Sequence, residues 1–345
     1  MDTAIAAMLA EDGIVNGAVY ALMAISIILV FSVTRILFIP QGEFIVFGAA
    51  TLAQLQAKVV PSVVWLVLIG VACALVQEVW TGLRERRSAM AILKSGARLA
   101  ALPTAIALVV AWLSGQNLSM AVQVVASIAL VMPLGSLLHR LVYGSMTDAT
   151  VLMLLIVSVG VHFGLTSLAL AFLGPEGFRT PPFAEGRYEW GAVSLNAQAL
   201  AVLVSTGALI GVLFVLFTKT FRGLGLRAAA VNQLGAQLVG LSARKAGQLS
   251  LSLAAGLGAL SGVLIAPNTT IFYDTGFLIG LKGFVAAVFA GLASFPGALI
   301  GALAVGLVES FGAFWASAFK EMIVFTAVLP ILLWRSFLHG SAEEH

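Results

Sequence analysis

"VLMLLIVSVGV" at residues 151–161 and "ALAVLVSTGALIGVLFVLF" at 199–217 hold no charged residue and no alternation of apolar with polar positions. A transmembrane β-barrel requires short strands with one polar face, so unbroken apolar runs of this kind read as bilayer-crossing helices. The rest of the chain has the same character. Its 345 residues are 61% hydrophobic and 10% charged, against roughly a quarter charged in soluble domains. Two soluble domains of that composition would have too few polar side chains to cover their surfaces. The fold class is all-α, a polytopic helical membrane protein.

Breaks at charges, Pro and Gly divide the chain into spans near 14–34, 42–58, 62–80, 99–114, 119–138, 150–173, 197–218, 249–266, 277–293, 297–315 and 321–337. That makes about eleven transmembrane helices in a single membrane domain, residues 1–345, each near the roughly 17–25 residues that a span requires. Charge then orients them. Arg84, Arg86, Arg87, Lys94 and Arg98 face one acid, Glu85, in the loop 84–98. Lys219, Arg222, Arg227, Arg244 and Lys245 face none in 219–248. The positive-inside rule puts both segments in the cytoplasm, and the span count puts them on one side, with Arg35, Arg140 and Arg335. Asp2, Glu11 and Asp12 then fall outside, as does the loop 174–196 with Glu176, Glu185 and Glu189. The expected topology is N-out, C-in.

The net charge of +3 comes from these loops and calls for no nucleic acid partner. The single cysteine, Cys73, permits neither a disulfide framework nor a CxxC metal site and reads as a small core residue. The acidic opening "MDTAIAAMLAEDG" lacks the basic n-region of a cleaved signal peptide. Gly13 with Gly17, Gly258 with Gly262 and Gly297 with Gly301 have the small-xxx-small spacing that lets helix backbones approach closely.

Ionisable groups inside lipid are costly, so each calls for a partner or a role. Lys282 lies five residues below the outer end of its span and Glu309 six below the outer end of the next. At about 1.5 Å per residue both sit at similar depth, so adjacent helices can pair them. Single substitutions that harm, with a double substitution that does not, would mark that pair as structural. Glu43 stands in "FIPQGEF", where Pro40 and Gly42 interrupt the helical pattern. It either faces a cavity beside a broken helix or pairs with Arg35 as a solvated loop acid. Gln41 shares that interruption. His162 either lines a cavity or bonds to Ser158 or Thr166, four residues away on either side.

The sequence carries no GxxxxGK[ST], HExxH or GxSxG motif, so no catalytic residues, metal site or cofactor are expected. Nor are several acids buried mid-span. Uphill movement of a solute would draw its energy from another chain. The segment "RGLGLRAAAVNQLGAQLVGLSARKAG" at 222–247 suits that need. Leu226, Ala229, Ala230, Leu234, Leu238 and Leu241 recur at helical spacing among cations. A helix of this kind docks on a partner or lies on the lipid surface.

"RAAAVNQLGAQLVGLS" at 227–242 resembles the cytoplasmic loop of permease subunits of the branched-chain amino acid ABC transporter family, at Arg227, Ala228, Ala236, Val239, Gly240 and Leu241. "NGAVYALMAISIILVFSVTRILFIPQGEF" at 16–44 is similar to the family's N-terminal span and Gly-Glu element. "GALSGVLIA" at 258–266 and the block at 276–310, with Lys282, Gly291, Ser294, Pro296, Gly297, Gly301 and Glu309, resemble its Gly-rich C-terminal half. The resemblance implies a coupling helix, with Arg222 also in it, that fits a groove of a cytoplasmic ATPase. It further implies a second permease, homologous or identical, a periplasmic binding protein, and ATP bound by partners rather than by this chain. Branched-chain amino acids or related small acids and amides are the implied substrates, and a multi-pass place in the bacterial inner membrane the implied location. Three positions depart from the pattern. Val231 and Asn232 stand where many members carry two acids, so hydrogen bonding by Asn232 and Gln233 is expected to replace an ionic contact. Gln41 stands where His is common. Residues 61–118 look like a two-helix insertion at the periphery. The competing reading is a secondary carrier or channel that acts alone.

Overall fold

The computed structural model describes residues 3–146, 149–190, 193–327 and 330. Its elements in chain order are α1 (Thr3–Thr34), a 3-10 turn (Ile39–Gly42), α2 (Glu43–Gln56), α3 (Val63–Arg84), α4 (Ala89–Leu113), α5 (Met120–Leu141) and α6 (Val151–Leu173). A hairpin of β1 (Arg187–Trp190) and β2 (Val193–Asn196) leads into α7 (Ala197–Lys219), α8 (Phe221–Val231), α9 (Gln233–Leu238) and α10 (Ala243–Ile265). Then come α11 (Thr275–Phe289), α12 (Phe295–Trp315) and α13 (Lys320–Thr326). Eight of the described helices are long and apolar enough to cross a membrane. The protein is an all-α polytopic membrane protein, and each expected span has a helix at its place. Of the last span, 321–337, only α13 is described, and Arg335, like Asp2, lies outside the described residues.

Several details differ from expectation. The loop 174–196 contains an antiparallel hairpin pairing Arg187 with Asn196. Its neighbour Phe178 exchanges backbone hydrogen bonds of 2.8 and 2.9 Å with Ile271. Cys73 is exposed on α3 instead of buried. On a peripheral helix an apolar residue can face lipid at no cost, so hydrophobicity alone does not fix its direction.

Most of α1 and α10 is buried, whereas α4, α6 and α7 are largely exposed. The core therefore forms around α1 and α10. α1 packs along α12, where Gly13 and Gly17 lie against the backbones of Leu307 and Leu303. α10 packs on α2 and α5, with Gly258 and Gly262 against Phe44 and Ile45. Both are the close approaches expected of that glycine spacing. Gly301 likewise meets Phe289 of α11.

At 14 and 15 residues, α2 and α11 are about 21–23 Å long, short of the roughly 30 Å hydrocarbon core. α2 is enclosed from Glu43 to Leu52 without a break. Its preceding turn presses Gly42 against Gly276 at the start of α11, where a Cβ on either residue would collide with the other's carbonyl. α3 and α4 pack on each other and on α5, at the edge of the bundle, with Trp65, Trp80 and Trp112 exposed.

Candidate functional site

Two features stand out, at opposite ends of the bundle. The first surrounds Lys282. Its Nζ donates to Glu309 Oε1 at 2.6 Å and to Glu321 Oε1 at 3.0 Å. Tyr20 donates its hydroxyl to Glu309 Oε2 at 2.5 Å. The depth argument thus brings Lys282 and Glu309 together across α11 and α12. Glu321 on α13 and Tyr20 on α1 complete the group, and neither is marked by sequence spacing. Four helices meet at one amine. The same end holds Asn196, which donates its backbone N–H to Glu11 Oε1 at 2.8 Å, and Ser310, which donates to the Leu9 carbonyl at 2.7 Å.

Glu43 and His162 form a second buried pair, deeper in the bundle. Glu43 is fully enclosed, and His162 Nδ1 stands 2.9 Å from its Oε1. The imidazole also stacks on Phe277, with ring centroids 4.6 Å apart. Glu43 is therefore not a solvated loop acid. Arg35 ends α1 with φ of 60° and its guanidinium over the Phe31 ring. Nor is the partner of His162 chiefly a neighbour on its own helix. Thr166 Oγ1 is 3.5 Å from Nδ1, and Ser158 instead pairs with Tyr143 at 3.0 Å. Gln41 donates its amide to the Ala254 carbonyl at 2.8 Å and so ties the turn before α2 to α10.

A further ionisable residue escaped the sequence reading. Glu78, buried near the end of α3, pairs with Arg140, lies 3.4 Å from Arg87 and accepts from Ser95 at 2.6 Å. These contacts fasten α3, α4 and α5 together beneath the basic loop. A single acid in a span followed by a cationic run was the available signal.

The second feature is the segment between α7 and α10. It is two helices, where the apolar period suggests one. Thr220 caps α8 by accepting from Gly223 N at 3.0 Å. α8 ends at Asn232, whose N–H reaches the Ala228 carbonyl at 3.0 Å and whose Oδ1 accepts from Gly235 N at 2.8 Å to start α9. Gly240, with φ of 87°, closes α9: its N–H reaches the Gln237 carbonyl and that of Leu241 the Ala236 carbonyl, both at 2.9 Å. This is the Schellman arrangement, in which glycine takes the left-handed position without penalty. The expected outward hydrogen bonding by Asn232 loses its acceptor to this cap. Gln233 stays exposed.

The inner face of this pair is keyed into the bundle. Leu226, Ala229 and Ala236 are buried in a cluster with Ile25, Leu29 and Val33 of α1, Leu213 and Phe217 of α7, and Leu257 of α10. The outer face is bare and apolar: Val231 is 86% exposed, Leu234 68%, Leu238 82% and Val239 77%. Arg222, Arg227, Ala228, Arg244 and Lys245 are exposed around it, and Leu241 is at its margin.

A family profile described as "Branched-chain amino acid transport system / permease component" matches residues 90–333. Among curated proteins, the chain is 26% identical over 217 residues to the high-affinity branched-chain amino acid transport system permease protein BraD of Pseudomonas aeruginosa, covering 61% of this chain and 71% of that protein. It is 25% identical over 220 residues to the corresponding permease protein LivH of Escherichia coli K12, covering 61% and 70%. A probable LivH of Methanocaldococcus jannaschii is 35% identical over 127 residues, covering 36% of this chain and 40% of that one. No solved structure matches. With most of its length matched, this chain belongs to the family of branched-chain amino acid transport system permease components.

Proposed function

We propose that this chain is the membrane-spanning permease subunit of an ATP-driven ABC importer in a bacterial inner membrane, oriented N-out and C-in. It builds the translocation pore with a second permease, homologous or identical. A periplasmic binding protein delivers branched-chain amino acids or related small acids and amides to its outer end. ATP is bound and hydrolysed by cytoplasmic ATPase subunits, and this chain itself carries no cofactor and no catalysis.

The observation that carries this reading is the two-sided α8–α9 segment. One face is fixed to α1, α7 and α10 through Leu226, Ala229 and Ala236. The other offers Val231, Leu234, Leu238 and Val239 among cations. Apolar side chains left in water at a cytoplasmic loop favour burial in a partner's groove by roughly 25 cal/mol per Å² covered. A rigid helix pair held at both ends transmits the movement of that partner to the helices it is keyed into, a rigid-body mode of gating. Arg222, Arg227, Ala228, Asn232, Gln233, Ala236, Gly240 and Leu241 build or frame the coupling surface.

The test is uptake in membrane vesicles. ATP-dependent uptake should persist with the membrane potential collapsed, and Leu234→Asp with Leu238→Asp should lower it at least tenfold at unchanged membrane abundance. Uptake driven by the potential in the absence of ATP would establish a carrier acting alone and overturn the proposal.

A further inference from the structure

The outer end of the bundle contains a cavity of about 430 Å³ above the Lys282 group, within the roughly 300–1,000 Å³ of small-molecule sites. Four carboxylates line it, from Glu11, Asp12, Glu309 and Glu321, against the amines of Lys282 and Lys320. Lys282 is already shared between Glu309 and Glu321, so its floor holds two acids for one cation. Asp12 adds a further carboxylate at the mouth, and no ion pair engages it or Lys320 among the described residues. Ile265, Leu278 and Ile279 supply an apolar wall.

The lining points to a ligand with three parts. A surplus of carboxylate favours an ammonium group, since charge-assisted hydrogen bonds are the strong ones in a confined site. The free amine of Lys320 favours a carboxylate. The aliphatic wall favours a branched hydrocarbon side chain. We infer that this cavity is a binding site in the permease itself for the zwitterion of an aliphatic α-amino acid, with its ammonium toward Asp12 and Glu321 and its carboxylate toward Lys320. This rests on the reading of the chain as an amino acid importer, and it adds a holding site between delivery at the outer face and passage through the pore. Specificity then resides partly in this chain, because an analogue lacking either charge leaves a lining charge without its partner.

The test has two arms. In the first, the purified full-length chain in lipid nanodiscs is titrated calorimetrically with L-leucine, 4-methylpentanoate (no ammonium) and 3-methylbutylamine (no carboxylate). Leucine should bind at least tenfold more tightly than either analogue, and Asp12→Asn and Leu278→Trp should each weaken leucine at least tenfold. Equal affinity for all three compounds on the unaltered chain, or leucine binding untouched by both substitutions, overturns the site. In the second arm the complete transporter is assayed for ATP-driven leucine uptake. Uptake without binding at the cavity removes this inference and leaves the transport reading standing. Binding that both substitutions abolish, with no ATP-driven uptake, supports the site and removes the transport reading.

Discussion

Lys282 is one amine between two acids, and that ratio governs what its loss does. Removing one member of a buried ion pair typically costs about 3–5 kcal/mol, because the remaining charge is stranded. Lys282→Met should lower the melting temperature of the purified chain markedly. Adding Glu309→Gln should recover only part of it, since Glu321 still lacks its cation. The triple variant with Glu321→Gln should recover most of the rest, as followed by thermal unfolding in detergent. The pairing of Lys282 with Glu309 was legible because depth along two consecutive spans follows from counting residues. The other partners were not. Tyr20 is 289 residues from Glu309 and His162 is 119 from Glu43, and no spacing rule reaches across such separations. For His162 the local rule pointed to Ser158 and Thr166, and a distant carboxylate proved the closer partner.

At the scale of elements, the break at Asn232 was within reach of the sequence. An Asn ahead of a short helix, and a Gly between two apolar residues just beyond it, are start and stop signals. They were overridden by an apolar period that continued across both helices. Asn232→Ala removes the cap of α9 at a cost of about 0.5–2 kcal/mol. Amide exchange at Gly235 and Ala236 should rise accordingly, with exchange in α10 unchanged. Unaltered protection of those two amides would show that the cap does not hold the helix. Gly240→Ala imposes a left-handed conformation on a residue with a Cβ, about 1–2 kcal/mol, and should loosen the same helix from its other end. The small helix is therefore adjustable from both termini without touching its exposed apolar face.

For the whole molecule, span positions and class were legible, because bilayer thickness sets the length of an apolar run. Which spans are central was not. Lipid is as apolar as leucine, so apolarity does not rank spans by burial: "EFIVFGAATLAQLQ" in the buried α2 is more polar than the largely exposed α6. The orientation is open to a direct check. In a Cys73→Ala background, Glu185→Cys should react with an impermeant maleimide in intact cells, and Lys245→Cys only after permeabilisation. The opposite pattern would invert the topology. Finally, consider when α2 acquires its surroundings during synthesis. Gln41 is bonded to Ala254, 213 residues later, and Gly42 rests on Gly276. At about 5–20 residues per second, at least ten seconds pass between making this short polar-tipped helix and making the helices that enclose it. During that interval α2 is too short to span lipid by itself, and it has only α5 and α6, which carries the His162 partner of Glu43, to pack against. Insertion of α10 and α11 is thus the event that closes the core, and chains truncated before α10 should be cleared by membrane proteases while those truncated after α12 persist.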